Sequence, residues 1–157
     1  MRGHLTGDRH YQARGDTLVV RREMDGLFCL LGTEVVNRYY ISEGTYIGRG
    51  SPFGNPFTHL PVRETAALYQ CATREESISK FEDWVFTQPD ILSRVDELAG
   101  NRLVCFCRPR PCHGSTYLRL IAAYATIRAS GEEPDWLTPN GIAKIRTHYD
   151  NIKKEFG

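Results

Sequence analysis

The run Arg102-Leu103-Val104-Cys105-Phe106-Cys107 lies between a helix stop at Gly100 and the turn Arg108-Pro109-Arg110-Pro111. A short apolar run bounded by glycine and proline reads as a buried strand. Helical patterns stand on both sides of it. Pro89 starts one that ends near Ala99, with Ile91, Leu92, Val95 and Leu98 inward, and Leu118, Ile121, Ala122 and Ala125 share one face of another from about Gly114 to Ala129. Helix, strand, helix restricts the chain to an α/β (or α+β) arrangement, with the 102–107 strand central and helices packed around it.

The remaining segments fit that core. Thr17–Arg22, Leu27–Leu31 and Glu34–Tyr40 are rich in β-branched and aromatic residues and read as strands, the first two as a hairpin across Asp25-Gly26. Tyr46-Ile47 opens a further strand. Thr73-Arg74-Glu75-Glu76 is a capping box, and Ile78, Phe81, Trp84 and Val85 follow on one helical face. Thr138 and Pro139 cap a last helix, about 139–156, that buries Ile142, Ile145, Tyr149 and Ile152. Residues 1–16 lack periodicity and read as a flexible arm, which leaves 17–157 as one domain, a length that suits a single core.

With a formal net charge of +1, the chain has no global field for nucleic acid or an anionic membrane, so such a ligand needs a local patch. No apolar run reaches the roughly 20 residues of a membrane helix, and the first residues lack the apolar stretch of a secretion signal. A cytoplasmic protein with no membrane association is expected. The five cysteines, Cys29, Cys71, Cys105, Cys107 and Cys112, are odd in number and lack the spacing of a disulfide framework.

Three of them fall in the turn that ends at Cys112-His113-Gly114-Ser115, which admits three chemistries. Cys105, Cys107, Cys112 and His113 are zinc-type donors, although C-x-C-x4-C-H departs from the paired knuckles of zinc ribbons. Cys112, at a helix start beside Arg108, Arg110 and His113, sits where a thiolate is favoured, so Cys112 and His113 are the candidate catalytic pair. The third chemistry, ranked first, is anion binding by the N–H groups of Gly114, Ser115 and Thr116 with Arg108 or Arg110. Against these stands the plain reading of Cys105 and Cys107 as small core residues.

A second shaped loop is Gly48-Arg49-Gly50-Ser51-Pro52-Phe53-Gly54-Asn55-Pro56-Phe57, whose three glycines and two prolines exclude helix and internal strand. Gly48, Arg49, Ser51 and Asn55 offer close backbone approach, a guanidinium and amide donors and acceptors, which suit a phosphate, sugar or base. Alternatively Asn55 bonds its own backbone while Phe53 and Phe57 plug the core.

Val35-Val36-Asn37, the YIGRGSPFGNPF stretch at 46–57, Arg74-Glu75-Glu76, and CFCRPRPCHG at 105–114 resemble a family common in phage and bacterial genomes and classed as a domain of unknown function. The resemblance spans about residues 34–123 and implies membership rather than mechanism. Such sequences commonly carry Asp after CHG, where this chain has Ser115. The expectation is a small phage-type enzyme acting on a nucleotide, nucleoside or nucleic-acid base, by glycosidic-bond or transfer chemistry. Its candidate ligand contacts are Asn37, Gly48, Arg49, Ser51, Asn55, Arg108, Gly114 and Ser115, with Glu34 or Glu43 available to stabilise a cation. The alternative is a non-catalytic nucleotide- or zinc-binding module that contacts nucleic acid or a host protein.

Overall fold

The computed structural model describes residues 9–11, 20–23, 26–30, 32–61, 67–107 and 110–156. In chain order the elements are β1 (Arg9–Tyr11), β2 (Val20–Glu23), β3 (Gly26–Leu30), β4 (Thr33–Asn37), β5 (Thr45–Tyr46), β6 (Phe57–Thr58), β7 (Tyr69–Gln70), α1 (Arg74–Val85), α2 (Pro89–Leu92), a 3₁₀ turn (Val95–Glu97), β8 (Arg102–Cys105), α3 (Gly114–Ala129) and α4 (Pro139–Phe156). Six strands form one sheet in the order β1-β2-β3-β4-β8-β5, and β6 and β7 pair separately. β1 to β4 are antiparallel to one another, whereas β8 runs parallel to both β4 and β5. The fold is mixed α/β. Residues 9–11 of the expected arm pair with β2; the rest of that arm lies outside the described residues.

β8 is inside the sheet and takes the near-continuous apolar run that a strand covered on both faces requires: Leu103, Val104 and Cys105 are all buried. It ends two residues before the sequence pattern does. Asn37 of β4 pairs with Cys105 and Tyr46 of β5 with Val104, so both neighbouring strands end there and Phe106 has no ladder to join. β4 also stops short of the expected Tyr40. The Asn37 side chain accepts the Tyr39 N–H at 2.8 Å and its carbonyl accepts those of Tyr40 and Ile41, which turns the chain away.

α1 begins with the Thr73 half of the capping box, Thr73 Oγ1 accepting the Glu76 N–H at 3.0 Å, while the Glu76 carboxylate reaches one residue further back to accept the Ala72 N–H at 2.8 Å. The helix expected over 89–99 is broken after Leu92, where Ser93 donates its hydroxyl back to the Asp90 carbonyl, yet the same four residues are buried. α3 is the spine of the core: Tyr117, Leu118, Leu120, Ile121, Tyr124 and Ile127 are buried among Phe81, Val85, Leu92 and Leu103, and Ile145 and Tyr149 of α4 join the same cluster.

Candidate metal centre and pocket

The turn after β8 and the loop after β5 meet. His113, just before α3, places Nε2 at 2.8 Å from the Ile47 carbonyl and 3.1 Å from that of Phe53. Two acceptors at one ring nitrogen require that nitrogen to carry the proton, so Nδ1 keeps its lone pair. Nδ1 lies 3.7 Å from Cys112 Sγ. Tyr117, one turn into α3, donates its hydroxyl to the same Phe53 carbonyl at 2.8 Å. Phe81 and Tyr117 pack edge-on against the imidazole, with centroids at 5.1 and 5.9 Å. Burial lowers the His113 pKa, so the ring is neutral near pH 7.

Around Cys112 the thiols converge. The sulfurs of Cys105, Cys107 and Cys112 all lie within 4.8 Å of one another, with Cys105 and Cys112 at 3.0 Å. Cys107 is beyond the end of β8, so the alternation of an extended strand does not bring it to Cys105; the bend after Phe106 does. The Gly114 N–H points at Cys112 Sγ from 3.3 Å. Hydrogen bonds from Cys105 and then Cys112 pull the Cys107 thiol far below its ordinary range, with help from the nearby Arg74 guanidinium. Conversely, the bond to Cys107 raises the Cys105 pKa, and those to Cys105 and Cys107, with burial, raise that of Cys112. Cys107 is thus the most acidic of the three, and protons that remain on the cluster leave when a cation binds. Cys105, Cys107 and Cys112 can hold a metal ion; His113, expected with them as a ligand, is not part of the group whose donor atoms all lie within 4.8 Å of one another. A tetrahedron with zinc–sulfur bonds of about 2.3 Å has sulfur–sulfur edges of about 3.8 Å, so the Cys105–Cys112 contact of 3.0 Å has to open by under about 1 Å.

The cluster forms one wall of a cavity of about 140 Å³. Tyr46, Gly48, Arg49 and Asn55 line it from the glycine-proline loop, and His59, Arg74, Ser77 and Ile78 from the segment that leads into α1. Phe106, Pro111 and His113 complete it beside the three cysteines. It opens at the carboxyl ends of β8 and β5, the usual position of ligand sites in parallel sheets. No carboxylate lines it, among the described residues. Glu34 pairs with Arg102 at 3.7 Å, near the opposite end of β4 and β8.

Several candidate ligand contacts have work inside the protein. The Asn55 amide donates to Ser77 Oγ at 3.0 Å and accepts the Phe57 N–H at 2.9 Å. Ser51 donates to the Gly48 carbonyl at 2.7 Å and accepts the Phe53 N–H. Arg49 donates to the carbonyls of Asn55 at 3.1 Å and Phe57 at 2.6 Å, and partial burial lowers its pKa. Asn37 donates to the Phe106 carbonyl at 3.4 Å. At the start of α3, Ser115 N–H bonds the Cys112 carbonyl and Thr116 N–H that of His113, so these groups and that of Gly114 already have acceptors within the turn. Arg108 lies outside the described residues. Arg74 and His59 line the cavity although neither was among the expected site residues; Arg74 stands in the sequence only as part of the capping box and of the stretch that carries the family resemblance. For Arg74 a signal was there: a cation in the first turn of a helix opposes the helix dipole, and a residue in that position has another reason to be present.

A mixed α/β domain with a thiol cluster at the carboxyl ends of its parallel strands defines the class. The chain belongs to the domain-of-unknown-function family DUF4326, whose model matches residues 33–123 and so contains every residue that lines the cavity. No curated protein and no solved structure shows significant similarity to it. No helix among the described residues is long and apolar enough to cross a membrane.

Proposed function

We propose that the protein is a small nucleotide-processing enzyme whose pocket carries a thiolate-bound zinc ion. The observation that carries this reading is the convergence of three cysteine sulfurs on the wall of a cavity that also receives Arg49, Arg74 and His59. Cys105, Cys107 and Cys112 are the metal ligands. His113, with its Nε2–H fixed on two backbone carbonyls as in many histidine ligands, keeps Nδ1 3.7 Å from Cys112 Sγ as a base beside the cluster. Arg74 and His59, with Arg49 behind them, favour an anionic group such as a phosphate. Bound zinc supplies a Lewis acid and a coordinated water of lowered pKa. A lining without a carboxylate gives no support to glycosidic-bond cleavage by paired acids.

A second reading has its own observation. Nδ1 lies 3.7 Å from Cys112 Sγ, so a ring movement toward the other two sulfurs would close a Cys3His site, and zinc with all four positions filled is structural. Metal analysis followed by cobalt(II) substitution separates the two. One metal ion per chain, with a cobalt spectrum that shifts when AMP is added, is the expected result, and Cys107→Ser should weaken metal binding at least about tenfold. A spectrum indifferent to AMP would assign a structural staple. Protein purified without metal, and unable to take up zinc or cobalt, would remove both readings.

A further inference from the structure

Beside the pocket mouth is a group of exposed rings that the metal centre does not use. Tyr39 is 78% exposed and Tyr40 82%, and Phe106 remains 42% exposed. Tyr39 meets Phe106 edge-on with centroids at 5.2 Å, Phe106 meets Tyr46 at 6.2 Å, and the Arg38 guanidinium lies 5.3 Å from the Tyr46 ring centre. The group is held in place by backbone contacts at the strand ends. Asn37 accepts the Tyr39 N–H and donates to the Phe106 carbonyl, and Arg38 N–H bonds the Cys105 carbonyl at 2.8 Å. Tyr46 and Phe106 belong both to this surface and to the cavity lining, so the two are continuous.

We infer that Tyr39 and Phe106, with exposed Tyr40 next to them in the turn, form a stacking platform for a nucleobase whose phosphate enters the Arg74 side of the cavity, an inference that rests on the nucleotide reading of that pocket. Exposed aromatic faces, each with a positive edge and a negative face, stack flat unsaturated rings with little dependence on which ring it is. An arginine beside them adds charge for a backbone phosphate. Asn37 is then a positioning residue: it fixes the angle between two rings and meets no ligand itself. Because the platform is continuous with the pocket, its occupant is the base of a free nucleotide whose phosphate the pocket holds.

The test measures binding of a fluorescein-labelled dT8 strand and an abasic strand of equal length, with dTMP as competitor, to the zinc-loaded full chain. Wild-type protein should bind dT8 at least about tenfold more tightly than the abasic strand, and Tyr39→Ala with Tyr40→Ala should remove about tenfold of that affinity. Tyr39→Trp should restore it. Competition by dTMP at concentrations similar to those for dT8, counted per base, is the expected result; competition by strands alone would overturn the free nucleotide as occupant and assign the rings to single-stranded nucleic acid. Equal binding of dT8 and abasic strands, no binding of either, or an alanine variant that binds like wild type overturns the platform. So does a wild-type dimer that the alanine variant dissolves without any change in dT8 affinity, which would make the rings a protein contact. Arg74→Ala and the cobalt spectrum report on the pocket separately. If inorganic phosphate still shifts the spectrum while the tyrosine variants have no effect, the pocket reading stands and the platform falls. If dT8 binding depends on Tyr39 but not on Arg74 or metal, the platform stands alone.

Discussion

Gly114 shows how closely the site depends on single atoms. A Cβ at this position would lie 2.8 Å from Val35 Cγ2, 2.9 Å from Val35 Cγ1 and 3.2 Å from Ile47 Cδ1, all inside the core. Overpacking of this kind usually costs about 1–3 kcal/mol. Gly114→Ala should therefore lower the unfolding free energy by that amount, with a lower denaturant midpoint and weaker zinc binding, because α3 must move away from β4 and carry Cys112 along. Urea unfolding with and without added zinc would check this, and an unchanged midpoint would mean that α3 has more freedom than its packing indicates. Gly114 reads in the sequence only as the end of a CHG motif. Its real constraint, contact with a strand some eighty residues earlier, has no local signature. The thiols were legible as donors, but their spacing argued against zinc, because a spacing rule assumes regular backbone between ligands and the chain bends between Cys105 and Cys107.

At the level of elements, α4 lies outside the family match yet adds to a buried charge network of the core. Glu82 of α1 is 5% exposed and accepts the Tyr149 hydroxyl at 2.5 Å and Lys153 Nζ at 2.6 Å, both from α4, while Arg119 Nη1 of α3 lies 3.4 Å away. Arg119 Nε is buried without a partner among the described residues, so the arginine is held mainly by its charge. Removing one member of a buried pair leaves the other uncompensated, at a cost of about 3–5 kcal/mol. Glu82→Ala should be destabilising on that scale, and Glu82→Leu with Arg119→Met should recover most of the loss; a double-mutant cycle by chemical denaturation measures both. Additive losses would argue against coupling. The helices themselves were readable, since periodicity, the Thr73 cap and Thr138-Pro139 mark where they run. Glu82 was not, because a glutamate on a helix is normally a solvated residue and only the docking of two distant helices buries it. Strand ends were overextended for a similar reason: a strand stops where its neighbours stop, and register is a property of the sheet.

For the whole molecule, three buried phenols connect the core to alkaline pH. Tyr117 donates to the Phe53 carbonyl, Tyr124 to that of Leu92 at 2.6 Å and Tyr149 to Glu82, and each pKa is raised well above the ordinary tyrosine value, chiefly by burial. A group whose folded pKa lies above its unfolded value gives stability that is complete below the unfolded pKa and is lost as pH rises toward the folded one. The unfolded chain releases these protons near pH 10 while the native one retains them. Above about pH 10 each retained proton therefore steepens the decline by roughly 1.4 kcal/mol per pH unit. Tyr124→Phe isolates one of them: the ring keeps its stack on Trp136, centroids 6.2 Å apart, and loses only the titrating hydroxyl. The variant should be about 1 kcal/mol less stable near neutral pH through the lost hydrogen bond, yet its stability should fall more slowly above pH 10, so that the two curves converge and cross. Urea unfolding at closely spaced pH values from 8 upward would test this; parallel curves would show that Tyr124 ionises as readily in the native core as in the open chain.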